Sequence, residues 1–169
     1  MVIWLIGLSG AGKTTIAKQL YKKIKEKHAN TVFLDGDRLR EAIGKDLGYS
    51  AKDRFKSEER TSRLCKLLAD QNIHVICAKL SNSPEIREWN KRNILDYREI
   101  YVKVKSETLK LRDPKGFYAS YEKGEMKNMV GKDIPFHVPK KPFLIVENDN
   151  NISINKKISS IVKNLNLNL

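Results

Sequence analysis

The feature that most constrains this chain is a glycine-rich segment near its start, GLSGAGKT at residues 7–14. It follows a short apolar run, VIWLI at residues 2–6, and precedes an amphipathic pattern at about residues 14–27. The spacing is G-x-x-x-x-G-K-[ST], in which a strand turns sharply into a helix. Backbone N–H groups of such a turn and of the helix N-terminus bind phosphate oxygens together. The segment therefore predicts a P-loop that binds a nucleoside triphosphate.

The side chains of this loop have expected parts in holding ATP. Lys13 is expected to contact the β- and γ-phosphates and to act in catalysis, and the Thr14 hydroxyl is expected to hold Mg²⁺. A glycine-rich turn without a ligand is the alternative, but the flanking strand and helix disfavour it. The residues expected to bind the nucleotide from this loop are Gly7, Ser9, Gly10, Ala11, Gly12, Lys13, Thr14 and Thr15.

Short apolar runs alternate with amphipathic patterns along the whole chain. The apolar runs predict strands at residues 2–6, 31–34, 74–78, 99–104 and 143–148. The amphipathic patterns predict helices at about residues 14–27, 37–44, 54–71, 84–96, 106–112 and 153–164. This alternation is typical of an α/β fold, here a five-stranded parallel sheet with helices on both faces in one domain over residues 1–169. Residues 113–142, rich in Gly, Pro and Lys, are predicted to form a lid.

Two carboxylates follow the second predicted strand, in LDGD at residues 34–37. Ligands of parallel sheets gather beyond the carboxyl ends of the strands, so Asp35 and Asp37 are expected beside the phosphates. They could serve Mg²⁺ and an acceptor hydroxyl, although an Asp at this position could also cap the next helix, and both uses can hold. The strand HVICA lacks the terminal Asp of a Walker-B strand. That absence disfavours a regulatory NTPase, the alternative from another functional class.

The net charge of +13 raises the question of nucleic-acid binding. Lysine carries most of it, with 24 Lys against 9 Arg spread along the chain. Proteins that recognise bases tend to use arginine forks in clusters, so we expect no nucleic-acid partner.

No segment approaches the roughly 18 apolar residues that span a bilayer, and we expect a cytoplasmic protein without a membrane partner. Cys65 and Cys77 are expected to be buried, reduced thiols.

Several blocks of the sequence, in one order, resemble the adenylylsulfate (APS) kinases, a family of small P-loop kinases. The blocks are GLSGAGKTT, LDGDRLR, DLGYSAKDR, EIYVKV, LRDPKGFY and GKDIPFHVPKKPFLIV, and they extend over nearly the whole chain. The resemblance implies an ATP-dependent kinase that phosphorylates the 3′-hydroxyl of a small nucleotide acceptor. It also implies a homodimer.

The resemblance implies roles for individual residues. Asp37 would be the general base at the acceptor hydroxyl, with Asp35 supporting it and the metal, and Arg112 would lie near the donor nucleotide. The remaining matched positions would contact the acceptor, although solvated surface charge is the alternative for the three basic ones. These positions are Arg40, Tyr49, Arg54 and Lys115.

The sequence departs from the family pattern where the acceptor would bind. Ser57 replaces an Asn that contacts adenine in the family, and Met129 replaces a stacking Phe of the lid. In KLSNSPEIR, residues 79–87, Ser81 keeps the family's serine while Asn82 replaces its proline, and Arg87 keeps the last arginine. These residues are expected to bind the acceptor. Some family members carry a phosphoserine at the position of Ser81, but we expect direct in-line transfer with Ser81 positioning the acceptor.

Together these departures imply an acceptor other than APS, because a site built to bond one base rejects analogues that leave its polar groups unpaired. They resemble a branch of the family that phosphorylates cytidine diphosphoramidate in capsular polysaccharide phosphoramidate synthesis. We therefore expect this acceptor. Adenylylsulfate kinase activity, which makes 3′-phosphoadenylylsulfate in sulfate assimilation, is the alternative.

Overall fold

The computed structural model describes residues 1–167 and shows the five-stranded parallel sheet that the sequence predicts. The strand order is β2-β3-β1-β4-β5, and each neighbouring pair is parallel. The strands are β1 (Val2–Ile6), β2 (Thr31–Asp35), β3 (His74–Ala78), β4 (Tyr97–Lys103) and β5 (Leu144–Glu147).

Seven helices alternate with or follow the strands within residues 1–167. They are α1 (Lys13–Lys25), α2 (Gly36–Ile43), α3 (Ala51–Asp70), α4 (Pro84–Asn93), α5 (Ser106–Arg112), α6 (Phe117–Glu122) and α7 (Ile154–Asn164). The helix α3 begins three residues earlier than its amphipathic pattern predicts, because the Ser50 hydroxyl accepts a hydrogen bond from the Asp53 N–H at 3.2 Å. Such a cap satisfies a donor that has no partner within the helix.

The central strand β1 is buried on both faces, which explains its unbroken apolar run. Ile3 and Leu5 pack into one core with α1 and α7, whereas Trp4 packs into a second core with Cys65 of α3. The helices therefore cover both faces, as predicted. Cys65 and Cys77 are free and buried, which confirms the expectation for the thiols.

The predicted lid contains one short helix, α6, and otherwise consists of turns. Asp133 holds one of these turns by accepting hydrogen bonds from the N–H groups of Asn128 and Met129, each at 2.5 Å. Arg54 of α3 donates to the Asn128 carbonyl at 2.7 Å, so the lid is tied to the body of the protein. Within residues 1–167, no helix is long and apolar enough to cross a membrane.

Candidate active site

A cavity of about 860 Å³ opens beyond the carboxyl ends of β1, β2 and β3. This is the edge at which ligands bind in open parallel sheets. The glycine-rich loop forms one end, the start of α3 forms the other, and lid residues lie across them. Of the predicted site residues, the cavity wall contains Ser9, Gly10, Gly12, Lys13, Thr14, Thr15, Asp35, Asp37, Arg40, Tyr49, Arg54, Ser57, Arg112, Lys115 and Met129.

The glycine-rich loop has the backbone conformation that its composition predicts. Gly10 and Gly12 have φ angles of +78° and +90°, which side chains disfavour. A Cβ at Gly12 would also lie 2.6 Å from the Asn148 Nδ2 atom, which donates a hydrogen bond to the Ala11 carbonyl at 2.8 Å. Gly12 is the N-cap residue of α1 and has no side chain to cap the helix. The backbone N–H groups at the N-terminus of α1 can therefore donate hydrogen bonds to an anion. Gly7 and Ala11 of the loop are not part of the cavity wall, and Ala11 is buried in the core.

Lys13 follows the loop and donates a hydrogen bond to the Leu8 carbonyl at 2.8 Å. Its pKa is lowered from 10.5 to about 8, first by burial of the ammonium and then by Lys115, while Asp37 and Asp35 oppose the shift. Phosphate oxygens would favour the charged form of this lysine. The ammonium is thus placed where an anionic ligand would stabilise its charge.

Asp35 caps α2 and also contacts Thr14, so the capping alternative holds for Asp35. Its Oδ1 atom caps α2 by accepting from the N–H groups of Asp37 at 3.1 Å and Arg38 at 3.5 Å. Its Oδ2 atom accepts from the Thr14 hydroxyl at 2.9 Å. Asp37 is therefore not the cap, and its carboxylate forms an ion pair with Lys115 of the lid.

Just before α3, the ring of Tyr49 lies close to two guanidinium groups. The Cζ atom of Arg40 lies 4.4 Å from the centroid of the Tyr49 ring, and that of Arg54 lies 5.4 Å from it. Arg40 also donates to the carbonyls of Leu47 and Gly48 at 2.9 and 2.8 Å. The two arginines are therefore held in place at the cavity wall rather than extended into solvent.

The comparisons with known proteins agree on one family. The adenylylsulphate kinase profile matches residues 1–147. The chain belongs to the adenylylsulphate kinase family. It is therefore a phosphotransferase, so the alternative of a regulatory NTPase is not supported.

Two curated relatives differ in the acceptor that their names give. A cytidine diphosphoramidate kinase from Campylobacter jejuni subsp. jejuni serotype O:2 is 37% identical over 166 residues, which are 98% of this chain and 96% of that protein. An adenylyl-sulfate kinase from Clostridium acetobutylicum is 42% identical over 148 residues, which are 86% of this chain and 74% of that protein. Among solved structures, the Mycobacterium tuberculosis APS kinase CysC in complex with AMPPNP and APS has a TM-score of 0.89 and 32% identity, covering 98% and 97%.

The family fold brings together two charged residues that the sequence analysis did not single out. Lys79, at the end of β3, and Glu58 of α3 are both buried and both line the cavity. Burial lowers the pKa of Lys79 to about 8 and raises the pKa of Glu58. A charged residue directly after a buried strand was the available signal for Lys79.

Ser81, Asn82 and Arg87 lie outside the walls of the cavity, contrary to the direct acceptor contacts expected of them. The Ser81 hydroxyl is fully buried and donates to Glu58 at 3.3 Å. The Asn82 amide donates to the Pro135 carbonyl at 2.8 Å and accepts from the His137 N–H at 2.9 Å. Arg87 donates to the His137 carbonyl at 2.8 Å. Asn82 and Arg87 therefore hold the end of the lid, and these contacts are made to protein backbone outside the cavity wall.

Arg112 lies at the loop end of the cavity, where the resemblance places the donor nucleotide. Its guanidinium donates to the Asn148 carbonyl at 2.7 Å. Lys157 donates to the Asn148 Oδ1 atom at 2.6 Å. Asn148 therefore links the glycine-rich loop, α5 and α7, and it is a cavity residue that the sequence analysis did not identify.

Proposed function

We propose that this kinase transfers the γ-phosphoryl group of ATP to the 3′-hydroxyl of cytidine diphosphoramidate. The observation that carries the acceptor assignment is the composition of the cavity wall near α3. There the cavity wall contains the Ser57 hydroxyl, which accepts a hydrogen bond from the Lys79 ammonium at 2.7 Å, and the buried apolar side chain of Met129. Further support is the similarity to a cytidine diphosphoramidate kinase over almost the full length of both chains.

The groups that would carry out phosphoryl transfer lie at the end of the cavity formed by the glycine-rich loop. The N-terminus of α1 and the Lys13 ammonium would bind the triphosphate and stabilise charge that develops on the transferring oxygens. Asp37 would accept the proton of the 3′-hydroxyl as that oxygen attacks the γ-phosphorus and the bond to the β-phosphate oxygen breaks. Lys115, which contacts Asp37 across the cavity, would move to the anionic groups of the acceptor.

Thr14 and Asp35 suit Mg²⁺, because the ion prefers oxygen ligands and the two side chains already lie within hydrogen-bonding distance. Only two protein oxygens are offered, which fits an ion that keeps several waters and binds substrate phosphates. When bound, Mg²⁺ would neutralise charge on the β- and γ-phosphates. Asp35 would hold this ion through Oδ2 while Oδ1 continues to cap α2.

APS is the second candidate acceptor. It is favoured by the 42% identity to an adenylyl-sulfate kinase, which exceeds the identity to the cytidine diphosphoramidate kinase over a shorter aligned length. The two acceptors share a nucleoside, a phosphate and an anionic or neutral tetrahedral head group. They differ in the base and in the head group, which is a phosphoramidate in one and a sulfate in the other, so their products have different masses.

The test is an acceptor panel with ATP and Mg²⁺, in which mass spectrometry detects the phosphorylated product. We expect a gain of one phosphate on cytidine diphosphoramidate and none on its 3′-deoxy analogue, which is the matched control. Phosphorylation of the 3′-deoxy analogue would contradict the proposed site of attack. Product from APS alone would contradict the proposed acceptor.

We further propose that the kinase acts as a homodimer, as the family resemblance implies. Helices α2 and α3 carry exposed apolar side chains that could form such a contact. They are Ile43, Phe55 and Leu67. Light scattering coupled to gel filtration measures the mass directly. A mass equal to one 19.5 kDa chain at micromolar concentration would contradict the proposal.

A further inference from the structure

Lys79 gives all its hydrogen-bonding protons to helix α3. Its side chain is buried, and the ammonium donates to the Ser57 carbonyl at 2.9 Å, to the Ser57 hydroxyl at 2.7 Å and to the Thr61 hydroxyl at 2.8 Å. An ammonium has three protons and no acceptor, so these three bonds use its whole capacity. Lys79 therefore acts on the cavity through the groups it contacts.

The hydroxyl groups of Thr61 and Ser57 differ in whether their own protons have a hydrogen-bond acceptor. Thr61 donates its own proton to the Ser57 carbonyl at 2.8 Å, so its hydroxyl is satisfied inside the helix. Ser57 accepts from Lys79 but, within residues 1–167, has no hydrogen-bond acceptor for its own proton. Because an ammonium cannot accept, the Ser57 proton must be directed elsewhere, and Ser57 lines the cavity.

We propose that Lys79 is a positioning residue that fixes the Ser57 hydroxyl as a hydrogen-bond donor, so that this wall favours an acceptor base whose edge carries a carbonyl oxygen with no donor group beside it. Cytosine has such an oxygen, O2, next to the acceptor nitrogen N3. This inference rests on the proposed function and assigns its base specificity to the pair of Ser57 and Lys79.

Adenine suits this wall less well. Its acceptors on the edge that carries the exocyclic amino group are the ring nitrogens N1 and N7, and each of them lies beside that amino group, which is a donor. Placing that group against Ser57 would set two donors face to face and leave both unpaired. The same cavity wall contains the buried apolar side chains of Met129 and Val130, which offer no strong hydrogen-bond acceptor to an unpaired donor. A donor held in this setting discriminates between bases more strongly than a hydroxyl that is free to rotate.

A purely structural lysine would behave differently. Lys79 also ties the end of β3 to α3, so its loss can lower stability whatever its effect on the acceptor. Stability alone would affect both acceptors equally. The informative quantity is therefore the ratio of kcat/KM for cytidine diphosphoramidate to kcat/KM for APS, measured with the KM for ATP on the same preparation.

The experiment compares wild type with Ser57→Ala, Lys79→Met and the double variant. Lys66→Met is the matched control, since Lys66 is a lysine of α3 that pairs with Asp70 near the surface. We expect Ser57→Ala to lower the ratio about tenfold and Lys79→Met to lower it several-fold, with an unchanged KM for ATP. The double variant should resemble Ser57→Ala alone, because Lys79 acts through Ser57. Lys66→Met should leave the ratio unchanged.

The outcomes separate this inference from the proposed function. A wild-type enzyme that does not prefer cytidine diphosphoramidate overturns the proposed acceptor and the inference together. A preference that survives Ser57→Ala, or a double variant whose losses add, overturns the inference alone. If Lys79→Met does not fold, Ser57→Ala still decides between these results. Ser57→Asn then gives a second measurement, because restoring an amide should raise the relative use of APS.

Discussion

Lys115 of the lid forms an ion pair with Asp37 in the first turn of α2. Both side chains are substantially exposed, 43% for Lys115 and 73% for Asp37, and exposed pairs contribute only about 0–1 kcal/mol. The contact is therefore easily exchanged for another. An anionic acceptor that draws Lys115 away would free the Asp37 carboxylate to accept a proton at the moment the acceptor is in place.

Asp37→Asn should lower kcat by about 10²- to 10⁴-fold, because the amide cannot accept the proton of the attacking hydroxyl. The KM for ATP should change little, since Asp35 rather than Asp37 contacts Thr14 and caps α2. Steady-state kinetics check this, with Asp70→Asn as a control on an exposed carboxylate of α3. A near-normal kcat would exclude Asp37 as the general base.

Lys13→Ala should abolish turnover while the fold persists. The ammonium compensates charge on the transferring phosphoryl oxygens, and such a donor contributes on the order of 3 kcal/mol or more. Its contact with the Leu8 carbonyl is one hydrogen bond within the loop, so circular dichroism should remain as in wild type. A purified variant with more than about a tenth of the wild-type kcat, a loss under about 1.4 kcal/mol, would refute the triphosphate site.

Nucleotide affinity should weaken above pH 8. The pKa of Lys13 is about 8, and phosphates favour its charged form, so binding raises that pKa. Below pH 8 the lysine is charged before and after binding, and the affinity is constant. Above it, each pH unit should weaken binding of a non-hydrolysable ATP analogue by up to about tenfold, because binding takes up a proton.

Isothermal titration between pH 7 and 9.5 measures this dependence. Lys13→Met should bind weakly but with a flat profile. Lys79→Met is the necessary second control, since the pKa of Lys79 is also about 8. Lys79→Met should retain the wild-type dependence of affinity on pH. If this dependence is lost in Lys79→Met but kept in Lys13→Met, the titrating group is Lys79, and the prediction for Lys13 is wrong.

No covalent phosphoenzyme should form at Ser81. Its hydroxyl is fully buried, donates to Glu58 and lies outside the cavity wall, so it cannot attack a bound γ-phosphate without rearrangement. Incubation with [γ-³²P]ATP followed by denaturing electrophoresis should show no labelled protein. Label that disappears in Ser81→Ala together with activity would show a covalent route instead.

The sequence predicted the parts of this protein that depend on local pattern. The apolar runs located all five strands, and the spacing of GLSGAGKT located the loop whose glycines have positive φ angles. The proline at residue 84 marked the start of α4. These features depend on neighbouring residues, which a single sequence displays.

The parts that the sequence did not predict depend on distant partners. Lys79 is held by Ser57 and Thr61, which precede it by 22 and 18 residues, and nothing around Lys79 indicates that an ammonium at this position is buried. The Asn82 side chain is occupied by Pro135 and His137, which lie 53 and 55 residues further along. From the sequence alone, a polar side chain that contacts the lid cannot be distinguished from one that contacts a substrate, because the position of the lid is not known.

The acceptor is the centre of this account, and a competition in one vessel tests it most directly. Equal concentrations of cytidine diphosphoramidate and APS compete for limiting enzyme with ATP and Mg²⁺, and mass spectrometry measures the two products at early times. The product ratio equals the ratio of the two kcat/KM values. We expect at least about tenfold more phosphorylated cytidine diphosphoramidate, a difference of roughly 1.4 kcal/mol in transition-state binding. An excess of 3′-phosphoadenylylsulfate would contradict it.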